Sequence, residues 1–297
     1  MRLLIGYDGS DGAKAAIDDL SFAGMPENAD ARVLSVVEGR AAPNGAIPEE
    51  CPAIAQEGAA KLRSRFPGWN VSADVCVGAP AWEIIARGEA DDVDLIVVGS
   101  RGFGELKRLI FGSVVHQVVT QAKRPVRVGR ASASRQNDRP PLVIVGTDGS
   151  PDAKAAIDAV AGRKWPVGTR ILVATFETGV HARLSNWAPN TVWGGDPVPL
   201  DSRAAEERPA IHLATEAAHF LKYRCLGATV NTLVQPMDPK YGLIDAAEKW
   251  ENGGADCIFV GATGVRGIER FLLGSVSTTV ALSAPCSVEV VHRRLAR

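Results

Sequence analysis

Short apolar runs rich in β-branched residues recur along this chain, separated by stretches whose apolar positions return at helical spacing. The runs in the first half are Leu3–Ile5, Arg32–Val37, Val71–Val77, Leu95–Val98 and Val126–Val128. Those in the second half are Val143–Val145, Arg170–Phe176, Thr229–Gln235, Cys257–Val260 and Cys286–Val291. Runs this short, apolar on both faces, predict strands buried in a parallel sheet. Helices are predicted to open at Ala13 and Ala153, and over Glu49–Arg65, Ala81–Glu89 and Val114–Lys123, then Arg203–Tyr223 and Tyr241–Trp250. Strands alternating with helices imply βαβ units, right-handed crossovers and a sheet covered on both faces.

The two halves repeat each other. Leu3-Leu4-Ile5-Gly6-Tyr7-Asp8-Gly9-Ser10 parallels Val143-Ile144-Val145-Gly146-Thr147-Asp148-Gly149-Ser150, and both lead into Ala-Lys-Ala-Ala-Ile-Asp. Arg32 and Arg170 open the second strands, which are expected to match from there. The boundaries follow as a first domain over 1–130, a linker of Ser, Asn, Arg and Pro over 131–140, and a second domain over 141–297. Asp8 to Gly99 spans 91 positions, whereas Asp148 to Gly261 spans 113. The excess falls at about 178–202, a stretch without period that holds Trp187 and Trp193 and reads as a long loop. Its two readings are a surface loop packed on its own domain and a lid or partner contact.

Composition narrows the function. A chain of 297 residues with 46% hydrophobic and 23% charged positions has the material for two packed cores. A net charge of −1 argues against a nucleic-acid partner. No stretch reaches the roughly 18 apolar residues a membrane span needs, and the first apolar run is too short for a signal-peptide core. Five scattered cysteines without a C-x-x-C pair read as small core residues in a reducing compartment, so a cytoplasmic location is expected.

The chemistry lies after each fourth strand. Gly99-Ser100-Arg101-Gly102, nine further residues and Gly112-Ser113 lead into a helix; Gly261-Ala262-Thr263-Gly264, nine residues and Gly274-Ser275 do the same. The nine spacer residues differ widely while the glycine spacing is kept, which a simple turn does not require. Helix N-termini carry unpartnered N–H groups and favour anions, and glycines admit a ligand close to the backbone, so each stretch reads as a phosphate cradle. In a sheet of order 3-2-1-4-5 the first and fourth strands are neighbours, and a crevice opens at their carboxyl ends. Asp8 would then face Gly99–Gly102 and Asp148 would face Gly261–Gly264, either as helix caps or as ligand contacts. A Walker A motif and a G-x-G-x-x-G after the first strand are both absent from the sequence. The five histidines show no pattern shared between halves, and no acid–base set is repeated.

The strand-one Asp with G-x2-G-x9-G-S, present in both halves, resembles the universal stress protein family in its tandem form, over essentially the whole chain. The resemblance implies two Rossmann-like, adenine nucleotide α-hydrolase-like α/β domains, each a five-stranded parallel sheet of order 3-2-1-4-5 with helices on both faces. It implies ATP, with or without Mg²⁺, as the ligand. Asp8 and Asp148 would lie near the nucleoside, and Val36 and Thr175 near the adenine. Gly99, Arg101, Gly102, Gly112, Ser113 and Val114 would wrap ribose and phosphates in one half, with Gly261, Thr263, Gly264, Gly274, Ser275, Val276 and Ser277 doing so in the other. The hydroxyl of Ser277 has no counterpart at Val115, which makes the second site the expected tighter one. The family also implies pairing through the last strands, hence an internal pseudo-dimer of the halves and a homodimer. The expected role is a nucleotide-dependent stress-response regulator, not an enzyme, with an unidentified protein partner. A slow ATP hydrolase or phosphotransferase, and a nucleotide-free scaffold, are the alternatives.

Overall fold

The computed structural model describes residues 1–39, 50–100, 112–131, 139–177, 209–250, 254–264 and 273–293. The first half runs β1 (Arg2–Gly6), α1 (Asp11–Asp19), β2 (Asp30–Val37), α2 (Glu50–Arg65), β3 (Asn70–Val77), α3 (Pro80–Ala90), β4 (Leu95–Gly99), α4 (Ser113–Gln121) and β5 (Val126–Gly129). The second runs β6 (Leu142–Gly146), α5 (Pro151–Ala161), β7 (Arg170–Phe176), α6 (Pro209–Arg224), β8 (Thr229–Gln235), α7 (Pro239–Lys249), β9 (Cys257–Gly261), α8 (Ser275–Ser283) and β10 (Ser287–Val291). Each half is a parallel sheet of order 3-2-1-4-5, as the alternation of runs implies. The long stretch over 178–202 and most of the linker lie outside the described residues.

The two sheets are continuous. β5 pairs antiparallel with β10, giving one ten-stranded sheet in the order β3-β2-β1-β4-β5-β10-β9-β6-β7-β8. All pairs within a half are parallel, so the strands of one half run opposite to those of the other. The carboxyl ends of β1 and β4 therefore open on one edge of the sheet, and those of β6 and β9 on the opposite edge.

Strand alternation sends successive side chains to opposite faces. On one face Ile96, Val98, Val126 and Val128 join Ile258, Val260, Val288 and Val290 in a single core that spans both halves under α3, α4, α7 and α8. On the other face each half keeps its own core. Leu3, Ile5, Val33 and Val97 pack with Ile17 and Leu62, and Val143, Val145, Ile171 and Phe259 pack with Val160 and Leu221.

Between those two cores the central strands carry charge. Arg127 and Glu289 are register partners and are 0% and 1% exposed. Arg127 Nε donates to Asp19 Oδ2 at 2.6 Å and Nη1 to Glu289 Oε2 at 3.1 Å. Arg163 Nη2 donates to the other Glu289 oxygen, and Ser287 Oγ donates to Asp19 Oδ1 at 2.7 Å. Two cations thus face two carboxylates, with Arg127 Nη1 also donating to Cys257 Sγ at 3.2 Å and Nη2 left without a partner. Burial opposes the guanidinium charge, but Asp19, followed by Cys257 and Glu289, outweighs it and holds the pKa of Arg127 well above its ordinary value. Arg130 ties the halves further, donating to the carbonyls of Cys286 and Ala281.

Removing one member of a buried charge set leaves the others uncompensated, a loss of about 3–5 kcal/mol. Arg127→Met is therefore expected to lower the unfolding free energy by about that amount, as measured by urea denaturation with far-UV circular dichroism. Arg65→Met, which breaks an ion pair to Asp18 between two exposed side chains, should change it by about 1 kcal/mol or less.

Candidate functional site

β1 and β4 are neighbours in the sheet, with Leu3 opposite Leu95 and Ile5 opposite Val97; β6 and β9 are neighbours in the same way. In each half the Asp-Gly-Ser turn follows the first of these strands, at the carboxyl ends of the pair. Gly9 and Gly149 both sit at φ +80°, where a side chain would be strained, so the turn reverses within two residues. Ser10 and Ser150 cap the helices that follow, their hydroxyls accepting from Ala13 and Ala153 N–H at 3.2 Å. Asp8 and Asp148 are exposed and instead accept from the N–H of Ser10 and Ser150, at 3.0 and 2.9 Å. The cap reading of these aspartates is thereby corrected: the serine caps, and the carboxylate orients the serine from the crevice side.

Asp148 does meet the glycine loop. A Cβ placed on Gly264 would lie 2.7 Å from Asp148 Oδ2. Gly99 and Gly261 have a different reason to be glycine. A Cβ on Gly99 would come within 2.4 Å of the Gly12 carbonyl carbon, and one on Gly261 within 2.4 Å of Ala153 N. Close packing of strand four on the first helix of each half, with no room for a side chain, accounts for both. Arg101 and Gly102 lie outside the described residues.

The second loop closes on itself, Gly274 N–H donating to Ala262 C=O at 2.8 Å. Gly112 and Gly274 then open α4 and α8 at φ −58° and −63°, without a side-chain cap. Ser113 and Ser275 are exposed at the first helical position, and Val114 and Val276 are half-buried on the shared core. The N–H groups of a helix's first turn have no intrahelical partner.

Comparison with known proteins decides the family. The family model described as "Universal stress protein family" matches residues 1–130 and 226–292. The chain belongs to the universal stress protein family. A universal stress protein of Mycolicibacterium smegmatis is 29% identical over 216 residues, covering 71% of this chain and 67% of the relative. Universal stress protein YxiE of Bacillus subtilis is 31% identical over 147 residues, 43% of this chain and 98% of the relative. The crystal structure of a universal stress protein from Archaeoglobus fulgidus matches in fold, with a TM-score of 0.65 at 21% identity, over 99% of this chain and 98% of that one.

Three expectations about this universal stress protein are corrected by its geometry. Ser277 does not face the crevice: it is buried, and its hydroxyl donates to Gly261 C=O at 2.5 Å. It is the third residue of α8 and points under the loop, where Val115 fills the same place in the first half with apolar packing. The extra hydroxyl thus gives the second site no added phosphate donor. Thr263 is also engaged, its N–H and hydroxyl both donating to Asp152 Oδ2. Finally, sheet register sets Arg2 against Asp30 and Leu142 against Arg170, so the second strands match two residues away from the Arg32–Arg170 alignment. Thr175 is then the counterpart of Ser35; both are buried, on the face away from Val36. The counterpart of Val36 is Phe176, whose ring packs over Gly242.

Asp152, Arg293 and Phe176 are the site-flanking residues that sequence reasoning missed. Asp152 Oδ1 accepts from Arg293 N–H at 3.1 Å, tying the end of β10 to the loop of the second site. Among the described residues no group of three or more His, Cys, Asp or Glu is placed to hold a metal, and no helix is long and apolar enough to cross a membrane.

Because the helix backbone occupies the space a methyl would need, Gly99→Ala and Gly261→Ala should each destabilise the fold by about 1–3 kcal/mol. Denaturant unfolding of each variant checks this. Unfolding at the parent's midpoint would mean that these two glycines are kept only for a ligand.

Proposed function

We propose that this protein is an adenine-nucleotide-binding regulator, with one nucleotide site in each half and no catalytic turnover of its own. What carries the reading is the contrast among helix starts around each crevice. α1 and α5 are capped by Ser10 and Ser150, whereas α4 and α8, which receive the two glycine loops, have no side-chain cap. Orphan N–H groups and the positive end of the helix dipole suit phosphate oxygens there. An exposed carboxylate across the crevice, Asp8 or Asp148, suits the hydroxyls of a ribose. The residues fit the group.

In this assignment Gly102, Gly112, Ser113 and Val114 hold the phosphates of the first site, with Arg101 adding a cation. Gly264, Gly274, Ser275 and Val276 do so in the second. Val36 and Phe176, partly buried at the ends of β2 and β7, offer apolar surface to the base. ATP is the ligand inferred for the family motif, and Mg²⁺ would travel on the triphosphate. The protein acts in the cytoplasm through a partner that reads the nucleotide state, with the halves as an internal pseudo-dimer and the chain as a homodimer.

Calorimetric titration with ATP and AMP tests the binding. The parent should bind, and the Gly102→Val/Gly264→Val double variant, with an unchanged far-UV spectrum, should bind neither ligand. A parent that binds neither, or a double variant that binds like the parent, removes the reading. Incubation with ATP and Mg²⁺ should yield no ADP beyond a single turnover; steady release abolished by Asp8→Ala and Asp148→Ala would make the protein a hydrolase instead.

A further inference from the structure

Resting on the homodimer proposed above, we propose that a second copy of this chain docks on the C-terminal end of α6. The two copies are then held together by an antiparallel pair of α6 helices, not by their strands.

Among the described residues eight large hydrophobic side chains are exposed, and four of them share one surface. Phe220 (40% exposed) and Tyr223 (81%) lie three apart on α6, and Leu226 (83%) follows just past its end. Val167 (82%), on the turn before β7, joins them: Gly168 N–H donates to Gly227 C=O at 2.9 Å and brings the two turns together. Together they make an apolar patch on the order of a few hundred Å², the size at which such patches mark interaction sites. α6 lies over β7 and β8, at the end of the sheet, so a partner can approach its outer side.

The repeat shows that the fold does not require this patch. Leu62 of α2 and Leu221 of α6 are both fully buried, and each stands eight residues before the next strand start, Asn70 or Thr229. By that alignment Phe220, Tyr223 and Leu226 replace Lys61, Ser64 and Pro67. Val167 replaces Glu27, each three residues before the register partner of that strand start, Arg170 or Asp30. In the first half Lys61 and Arg65 both pair with Asp18, which completes a polar surface. The apolar surface of the second half therefore serves something beyond its own domain.

Two observations select a second copy as the occupant. The closing strands β5 and β10, whose edges could recruit another chain, are paired with each other, so a homodimer needs a different surface. The rim of the patch is also self-complementary. A stable interface buries about 800 Å² on each partner, so polar neighbours of the patch must join it. Glu216, Phe220 and Arg224 follow one another at four-residue spacing, an exposed ridge of carboxylate, ring and guanidinium. A two-fold axis at Phe220 sets Glu216 of each copy against the partner's Arg224, with the aromatic rings between the two pairs. The present contact of Glu216, to His212 Nε2 at 3.2 Å, joins two exposed side chains and is exchanged at little cost.

Sedimentation velocity on the full chain measures the dimer dissociation constant. Tyr223→Glu/Leu226→Glu should raise it at least about tenfold, with an unchanged far-UV spectrum. Glu216→Arg and Arg224→Glu should each weaken the dimer, and the two together should return it to within about threefold of the parent. Damage to the fold would not give that recovery. A dimer equally tight in Tyr223→Glu/Leu226→Glu overturns the α6 surface and leaves the homodimer standing. If the parent also binds phosphatidylglycerol vesicles and that variant does not, the patch belongs to a membrane instead. Failure of the double charge reversal to recover overturns the antiparallel pair. A parent that is monomeric at every concentration overturns the homodimer itself, and this surface with it.

Discussion

Arg127 facing Glu289 is the contact on which the molecule turns. The two residues occupy the same place in the two halves, the centre of the closing strand, in Val126-Arg127-Val128 and Val288-Glu289-Val290. Antiparallel pairing of two copies of one strand would bring like charges together at this point. Here the repeat has diverged so that opposite charges meet, with Asp19 and Arg163 completing the set. A buried set of this kind adds little net stability compared with apolar packing, and its distinctive effect is to penalise wrong pairings. It thus favours pairing of unlike halves and one register between them.

The consequence for the sites is geometric. Strands on either side of that pair run in opposite directions, so the two crevices open on opposite edges of one sheet and cannot share a ligand. The helices that carry the two sites, α4 and α8, pack on the same core beside the central strands. The connections are short: β4, which feeds the first loop, pairs with β5, and β9, which feeds the second, pairs with β10. On the apolar face the same strands belong to one core shared by both halves, a stiff medium between the two loops.

Much of this was legible in the chain. The order of elements and the sheet order within each half followed from alternating apolar runs and helical stretches, and the crevice from where Asp8-Gly9-Ser10 and Gly99 end their strands. What escaped the reading has specific physical causes. Strands have a period of two, so a two-residue slip leaves the apolar pattern intact, and aligning Arg32 with Arg170 looked sound; that alignment sets Val36 against Ala174, whereas the register sets it against Phe176, one residue beyond Thr175. The hydroxyl of Ser277 looked like a ligand donor because its direction depends on helix phase, and on the helix it turns inward. Arg127 and Glu289 sat in apolar strands where a single charge reads as an edge residue, and only pairing across the halves reveals each as the other's counter-ion.

The central claim is that phosphate binds at the uncapped starts of α4 and α8, beside the strand-one aspartates. Amide hydrogen exchange followed by mass spectrometry, with and without ATP and AMP at saturating concentration, tests it most directly. The account predicts slowed exchange in peptides covering residues 112–116 and 274–278 with either nucleotide, and unchanged exchange at the opposite ends of the same strands, around Arg2, Asp30 and Asn70. Protection confined to those opposite ends, or none at either helix start while nucleotide is bound, would contradict it.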